Sequence, residues 1–473
     1  MISEKLAVAF ITLSLVMGGG LAYLTIDAIN HGGRVAGTAG TTGTDATPGA
    51  DTTGDTGSSG SGGAGSGGAG SSSGSGSSRG PSGGIANTQA ASGVTGDQIL
   101  VGGIFDMTGA VDSSVERDTV RAYFNKVNAA GGVNGRKLVL TYCDSQYDNV
   151  QTHNCSNEMV SAKVLAVVGW TAPKGENNEV KFLAQDQGIP IVGGLGTPDE
   201  YAYPLSYPVS TPFTRTGTAL GAQVAAAGIK HPAIITLTDV PWIAPVRQKL
   251  VDALHANGVQ ETHIEDATAT DPDYTGHVGN LMHSSDRGPC AANAPGGACP
   301  DGLIAALDPF SYSRLFQAMN RSTWHPPVVA GGLDKGNQQD RYAGQIEGSR
   351  SLVPFLSPYD HPSNATVTDY LGAVQHYYPN QVPALDVYTQ ISWTSAQVFV
   401  EAVKRAGANL TRKTLVDALN TIQNFDTGWS KPISYSAGGS HDPNHCVVFM
   451  QHDNKSSQSG GTWHQYTDWQ CFP

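Results

Sequence analysis

The 473-residue chain is poor in basic residues: 27 Lys and Arg stand against 40 Asp and Glu, a formal net charge of −13. That balance excludes a protein whose main work is gripping phosphate backbones, so no nucleic-acid partner is expected. The sequence has no Cys-x-x-Cys pair, no Cys and His set at zinc-finger spacing, and no Gly-x-x-x-x-Gly-Lys phosphate cradle. Gly-x-Ser-x-Gly occurs at Gly70–Gly74, but inside a Ser/Gly stretch where no nucleophile elbow can form. His441 and His445 flank Asp442-Pro443-Asn444, a turn sequence that argues against ligation from one helix face. No catalytic residue, metal or cofactor is therefore expected, and a hydrolase is the weakest of the readings kept.

What is present begins with Leu6 to Ile26, 21 residues without a charge, long enough to cross a bilayer core as a helix. Lys5 precedes the run. Gly18-Gly19-Gly20 interrupts it. Residues 1–30 are read as an uncleaved anchor or, alternatively, a cleaved signal peptide, with contact to the membrane through this segment. Residues 31–93 read as a flexible Gly/Ser/Thr-rich linker. From Gly57 to Gly80, 24 residues hold 11 Gly and 10 Ser, too little apolar surface to offset chain entropy. Six cysteines form three sequence-local pairs, Cys143/Cys155, Cys290/Cys299 and Cys446/Cys471. These are the simplest of the 15 connectivities, and they suit an oxidising extracytoplasmic compartment.

From Val94 onward, short apolar runs alternate with helical periods. Gln98–Ile104 reads as a strand. Ser113-Ser-Val-Glu116 has capping-box spacing before a helix carrying Val120, Phe124 and Val127 on one face. Lys137–Tyr142, Val164–Gly169 and Ile189–Val192 continue as strands. A second series follows with Ala233–Leu237, Leu303–Leu307 and Pro327–Val329, and a long helix spans Asp386–Arg405. Repeated βα units imply parallel sheets covered on both faces.

In such sheets ligands sit beyond the carboxyl ends of the strands. The candidate loops carry Thr108 and Gly109, then Trp170 and Thr171, then Gly196 and Thr197. On the second series they carry Trp242, Asp308, Phe310 and Asp334. Backbone N–H groups at helix starts suit a small anion such as a carboxylate. Trp170, Trp242 and Phe310 suit an apolar part of the solute.

Gly93-Val-Thr-Gly-Asp-Gln-Ile-Leu-Val-Gly-Gly-Ile-Phe-Asp-Met-Thr-Gly-Ala110 resembles the opening of the leucine/isoleucine/valine-type substrate-binding proteins of ABC importers. So do Tyr123-Phe-Asn-Lys-Val-Asn-Ala-Ala-Gly-Gly-Val-Asn-Gly-Arg-Lys-Leu138, Asp144, Val167-Val-Gly169 and Gly188-Ile-Pro-Ile-Val192. The resemblance covers residues 94–473. It implies an α/β fold of two doubly wound parallel-sheet lobes joined by three crossovers, the type I periplasmic-binding-protein fold. Lobe 1 would be 94–211 plus 357–430 and lobe 2 would be 212–356 plus 431–473, with crossovers near Ser210, Leu356 and Ser430. It also implies that Thr197 and Gly196 meet a ligand carboxylate and that Thr108 and Gly109 form the first cleft loop. The usual Ser-rich second loop is replaced by Thr171-Ala-Pro-Lys-Gly175. The usual acidic partner of a ligand ammonium falls at Gly332, leaving Asp334 as its substitute.

The expected protein captures a small polar solute, an amino acid or relative, in a hinged cleft and hands it to an ABC permease. A ligand sensor acting through a signalling partner is the alternative, and only five residues before the anchor make a cytoplasmic signalling domain there unworkable.

Overall fold

The computed structural model describes residues 92–283, 290, 299–335, 341–342, 344–438, 441–453 and 462–472. The expected anchor at 6–26 and the linker up to residue 91 lie outside them. No described helix is long and apolar enough to cross a membrane.

Two sheets organise the chain. The first contains β1 (Gln98–Phe105), β2 (Lys137–Asp144), β3 (Val167–Thr171), β4 (Ile191–Val192) and β5 (Ser206–Tyr207), in the order β2-β1-β3-β4-β5. All its pairings are parallel. Helices cover both faces because β1 is apolar on both. Ile99 and Val101 pack with Val120 and Phe124 of α1 (Ser114–Ala129), whereas Ile104 packs with Cys155 and Met159 of α2 (Asn149–Ser161).

The second sheet holds β6 (Pro232–Leu237), β7 (His263–Ala267), β8 (Gly302–Ala306), β9 (Val328–Gly331) and β10 (Arg350–Val353), again parallel. The short α3 (Glu176–Val180) follows β3, and in the second sheet Ile234, Ile304 and Val329 face α4 (Phe213–Ala226) and α5 (Ile243–Ala256). Ile235, Leu303 and Ala305 face the other way, toward the core that holds α6 (Thr275–His283) and α7 (Pro309–Asn320). The wholly parallel expectation fails at one edge. β11 (Cys446–Asp453), β12 (Thr462–Gln465) and β13 (Gln470–Cys471) join antiparallel, so this sheet is mixed.

The chain passes between the sheets three times: between Tyr207 and Phe213, between Val353 and Ala365, and between Tyr435 and Cys446. After the second passage α8 (Ala365–Tyr377), α9 (Val387–Ala406) and α10 (Arg412–Leu419) return to the first sheet, α9 lying against α1 and β3.

The three expected disulfides are all formed, and no described cysteine is free. Cys143–Cys155 ties β2 to α2. Cys290–Cys299 closes a separation of nine residues. Both of its cysteines are partly buried against the main core, and Cys299 stands just ahead of β8. Cys446–Cys471 staples the β11–β13 pair directly, since those residues are register partners.

Two local readings are corrected. The capping box at Ser113 does not form. Ser113 has φ −93° and ψ 24°, outside the extended conformation a cap needs. Its own N–H donates to the Asp106 carbonyl (2.5 Å), and Asp112 Oδ1 accepts from Ser114 N (2.9 Å). The third strand is also shifted. Val164–Ala166 is buried ahead of it, and β3 runs Val167–Thr171, with Gly169 at φ 75° where the β1–β3 register slips between Gly102 and Ile104. A left-handed backbone there needs glycine, and the slip carries Trp170 and Thr171 into the strand.

Candidate functional site

The carboxyl ends of β1, β3, β6, β8 and β9 converge on one cavity of about 120 Å³. The first sheet's side contributes Val111, Glu116, Tyr147, Thr171, Pro173 and Leu195. The second contributes Phe213, Leu237, Trp242, Ile243, Asp308 and Phe310 among others, and Tyr388 of α9 closes one wall. Most of these side chains are apolar. A cavity of this order accepts a ring the size of benzene. Among the described lining residues there is no Lys, Arg or His, whereas Asp112, Glu116 and Asp308 are acidic.

Trp242 bridges the two sides. It sits at the start of α5, its ring lies 4.9 Å from that of Phe213, and its Nε1 donates to the Pro173 carbonyl (3.0 Å).

Glu116 is the buried acid of the cavity wall. No capping box forms, and the Glu116 Oε2 is buried with no hydrogen-bond partner. Burial, then the nearby Asp386 carboxylate, push Glu116 up to about 8 despite the opposing Lys335. Behind it Lys335 Nζ donates to Asp386 Oδ2 (2.8 Å), with both side chains buried. Asp386 also caps α9, accepting from Thr389 N (3.0 Å). Thr171 Oγ1 is a second buried polar atom without a partner on the wall. Burial and the facing carboxylates Asp239 and Asp308 push the Tyr147 phenol far up.

In three of the expected loops, amides that could meet an anion are occupied. Asp144 accepts from Met107 N (2.9 Å), Thr108 N (3.2 Å) and Thr108 Oγ1 (2.6 Å). Glu200 accepts from Leu195 N and Gly196 N, both at 2.8 Å. Asp308 accepts from Phe310 N (2.8 Å) and Ser311 N (3.0 Å), capping α7. Internal carboxylates thus hold the positive sites that a solute anion would need.

Of the ten ligand contacts expected from the sequence, Thr171, Trp242, Asp308 and Phe310 line the cavity. Thr108, Gly109, Gly196, Thr197, Asp334 and Trp170 are not among its lining residues. Thr108 and Gly109 are exposed. Thr197 is fully buried beneath the short 198–201 turn. Trp170 packs with Cys155, Met159 and Leu183 on the opposite face of the sheet. Asp334 is buried with Oδ1 unpartnered, and its carbonyl accepts from Tyr359 Oη (2.9 Å). At Gly332, φ is 73° and a Cβ would lie 3.0 Å from Tyr388 Cε2, so the missing acid there makes room for that ring. The disulfide cysteines stand apart from the site as well. Cys143, Cys155, Cys290, Cys299, Cys446 and Cys471 are all absent from the cavity wall, so these bridges brace the frame and do not touch a solute there.

Sequence reasoning missed Glu116, Tyr147, Phe213 and Tyr388. Glu116 is masked by its capping-box spacing, Tyr147 sits in a polar run at φ 53°, and Tyr388 reads in sequence as part of a core helix.

Residues 98–459 match the family model described as periplasmic binding protein. No curated protein sequence matches the chain. Among solved structures, a fatty acid ABC transporter substrate-binding protein from Thermomonospora curvata is similar, with TM-score 0.63 and 17% identity over 80% of this chain and 94% of that one. A leucine-binding protein from Thermotoga maritima MSB8 gives 0.61 and 16%, over 77% and 97%. An ABC transporter solute-binding protein from R. palustris, in complex with benzoate, gives 0.62 and 15%, over 78% and 98%. At those identities the likeness speaks for the fold, while the family match over most of the length speaks for kinship. The chain is a member of the periplasmic binding protein family, a family of solute-binding proteins and not of enzymes.

Proposed function

We propose that this protein is an extracytoplasmic solute-binding protein that captures a small, mainly apolar solute between its two sheets and delivers it to an ABC permease. The observation that carries the reading is the cavity itself, walled by apolar side chains from both sheets and bridged by Trp242 and the Pro173 carbonyl. A solute touching both sides favours the closed arrangement, because only that arrangement offers all its contacts at once. The solute is less polar than the sequence suggested, since amides in three of the cleft loops are occupied by internal carboxylates. Structurally similar proteins named for a fatty acid, for leucine and for benzoate give the fold a record of apolar-bodied ligands.

The N-terminal apolar run and the linker complete the proposal. An uncleaved run would hold the binding unit at the membrane, and a cleaved one would release it. A sensor with a signalling partner is the alternative use of the same cleft.

The test is mass spectrometry of small molecules released from the full-length chain purified from its own source, beside an Ala306→Phe variant that fills the cavity. One compound held by the unaltered chain and missing from the variant is expected. Equal retention by both, or by neither, contradicts the reading.

A further inference from the structure

The cavity's charges define what head group its guest carries. Three carboxylates reach its wall, and no described basic side chain does. Two neighbouring cations are engaged elsewhere. Lys335 is paired with Asp386, and Lys174 Nζ lies 5.0 Å over the Tyr147 ring. Asp308 spends both oxygens on its own helix start and on Ser311 Oγ. Asp112 is exposed and caps Ser114. Glu116 differs from both: it is 4% exposed, and its Oε2 has no partner. A buried carboxyl oxygen left without a donor costs free energy that a guest's donor would recover.

Building on the proposed solute cavity, we infer that the guest is an apolar-bodied primary amine whose ammonium group is received by Glu116, with the apolar body held among Trp242, Phe213 and Phe310. The carboxylates acting on Glu116 argue for a cation. Asp386 and Asp112 add negative potential, and Lys335 only partly offsets it because Asp386 holds it. The aromatic walls add ring faces that attract cations. A carboxylate guest would meet three acids, no base, and loop amides already filled by Asp144, Glu200 and Asp308. An α-amino acid fails for the same reason at its carboxylate end.

Binding at Glu116 leaves a proton signature. Burial and the Asp386 carboxylate push Glu116 up to about 8, toward the protonated form. Receiving an ammonium favours the carboxylate, and the displaced proton goes to solvent.

The experiment is calorimetric titration of the full-length chain at pH 7, in buffers of different ionisation enthalpy, with benzylamine, benzyl alcohol and benzoate. These probes share one ring and differ in the head group. Benzylamine should bind about tenfold or more tightly than either partner and should release close to one proton. Glu116→Gln should erase both the preference and the proton release. If benzyl alcohol or benzoate binds as well as benzylamine, or if no proton is released, the amine assignment is overturned while the cavity reading stands. If none of the three binds, both fall. The ranking and the proton count on the unaltered chain need no variant, so a misfolded Glu116→Gln would not shield the inference.

Discussion

Trp242 Nε1 donates to the carbonyl of Pro173 at 3.0 Å, one residue belonging to the β6–α5 loop and the other to the loop after β3. It is a direct bond between the two sides of the cavity, made by a side chain that also walls it. Trp242→Phe keeps an aromatic ring against Phe213 and removes the donor. Solute affinity should fall about fivefold, the worth of one neutral hydrogen bond, with little change in unfolding midpoint. Calorimetry beside a urea melt checks both parts.

Lys335 and Asp386 form a buried ion pair between the end of β9 and the start of α9. Burial alone would lower the Lys335 ammonium, but Asp386, Glu116 and Asp334 together raise it. Lys335→Met leaves the buried Asp386 carboxylate without its counter-charge and should cost about 3–5 kcal/mol of stability. Adding Asp386→Asn should recover part of that loss. Urea unfolding of the two variants measures the difference, and a Lys335→Met change under about 1 kcal/mol would contradict the pair's role.

Three buried acids set an expected pH dependence. Burial is the main cause at each: Asp106 rises to about 6, Asp334 to about 7 and Glu116 to about 8. Because the native state holds these protons more tightly than the unfolded chain, their contribution is complete below pH ~4 and fades as pH rises to ~8. Other acids oppose this. Burial would raise Glu265, yet hydrogen bonds from His277, Asn280 and His263 hold it low. The comparison that isolates one group is Glu116→Gln against the unaltered chain. The variant should gain relative stability from pH ~5 to about pH 8 and level off above that, and a constant offset in melting temperature would contradict it.

The Cys446–Cys471 bridge closes a 25-residue separation and fastens the antiparallel edge of the second sheet. Replacing both cysteines by serine should cost about 3 kcal/mol. Denaturant melts test this, and β11 should lose amide protection before β6 does.

Much of the fold was legible because β1, β6 and β8 are apolar on both faces, which only a sheet covered twice requires. The β11–β13 edge was not, since His452 and Asp453 interrupt its apolar run and β13 contributes two residues. The shift of β3 depended on one left-handed glycine, Gly169, which reads in sequence as a strand's end. Part of the cavity wall was legible. Trp242, Phe310 and Asp308 followed from their place after strands. Glu116 was hidden because Ser113-x-x-Glu116 spells a cap, while the actual cap role went to Asp112. The occupation of loop amides by Asp144 and Glu200 was illegible, because it depends on where distant or turning segments bring a carboxylate.

The decisive measurement is a crystal structure of the full-length chain soaked with benzylamine. Density is expected for one guest inside the cavity, its amine toward Glu116 and its ring beside Trp242, with the Trp242–Pro173 bond in place. An empty cavity, with the guest seated only on an outer face of one sheet, would rule out an amine held between the sheets.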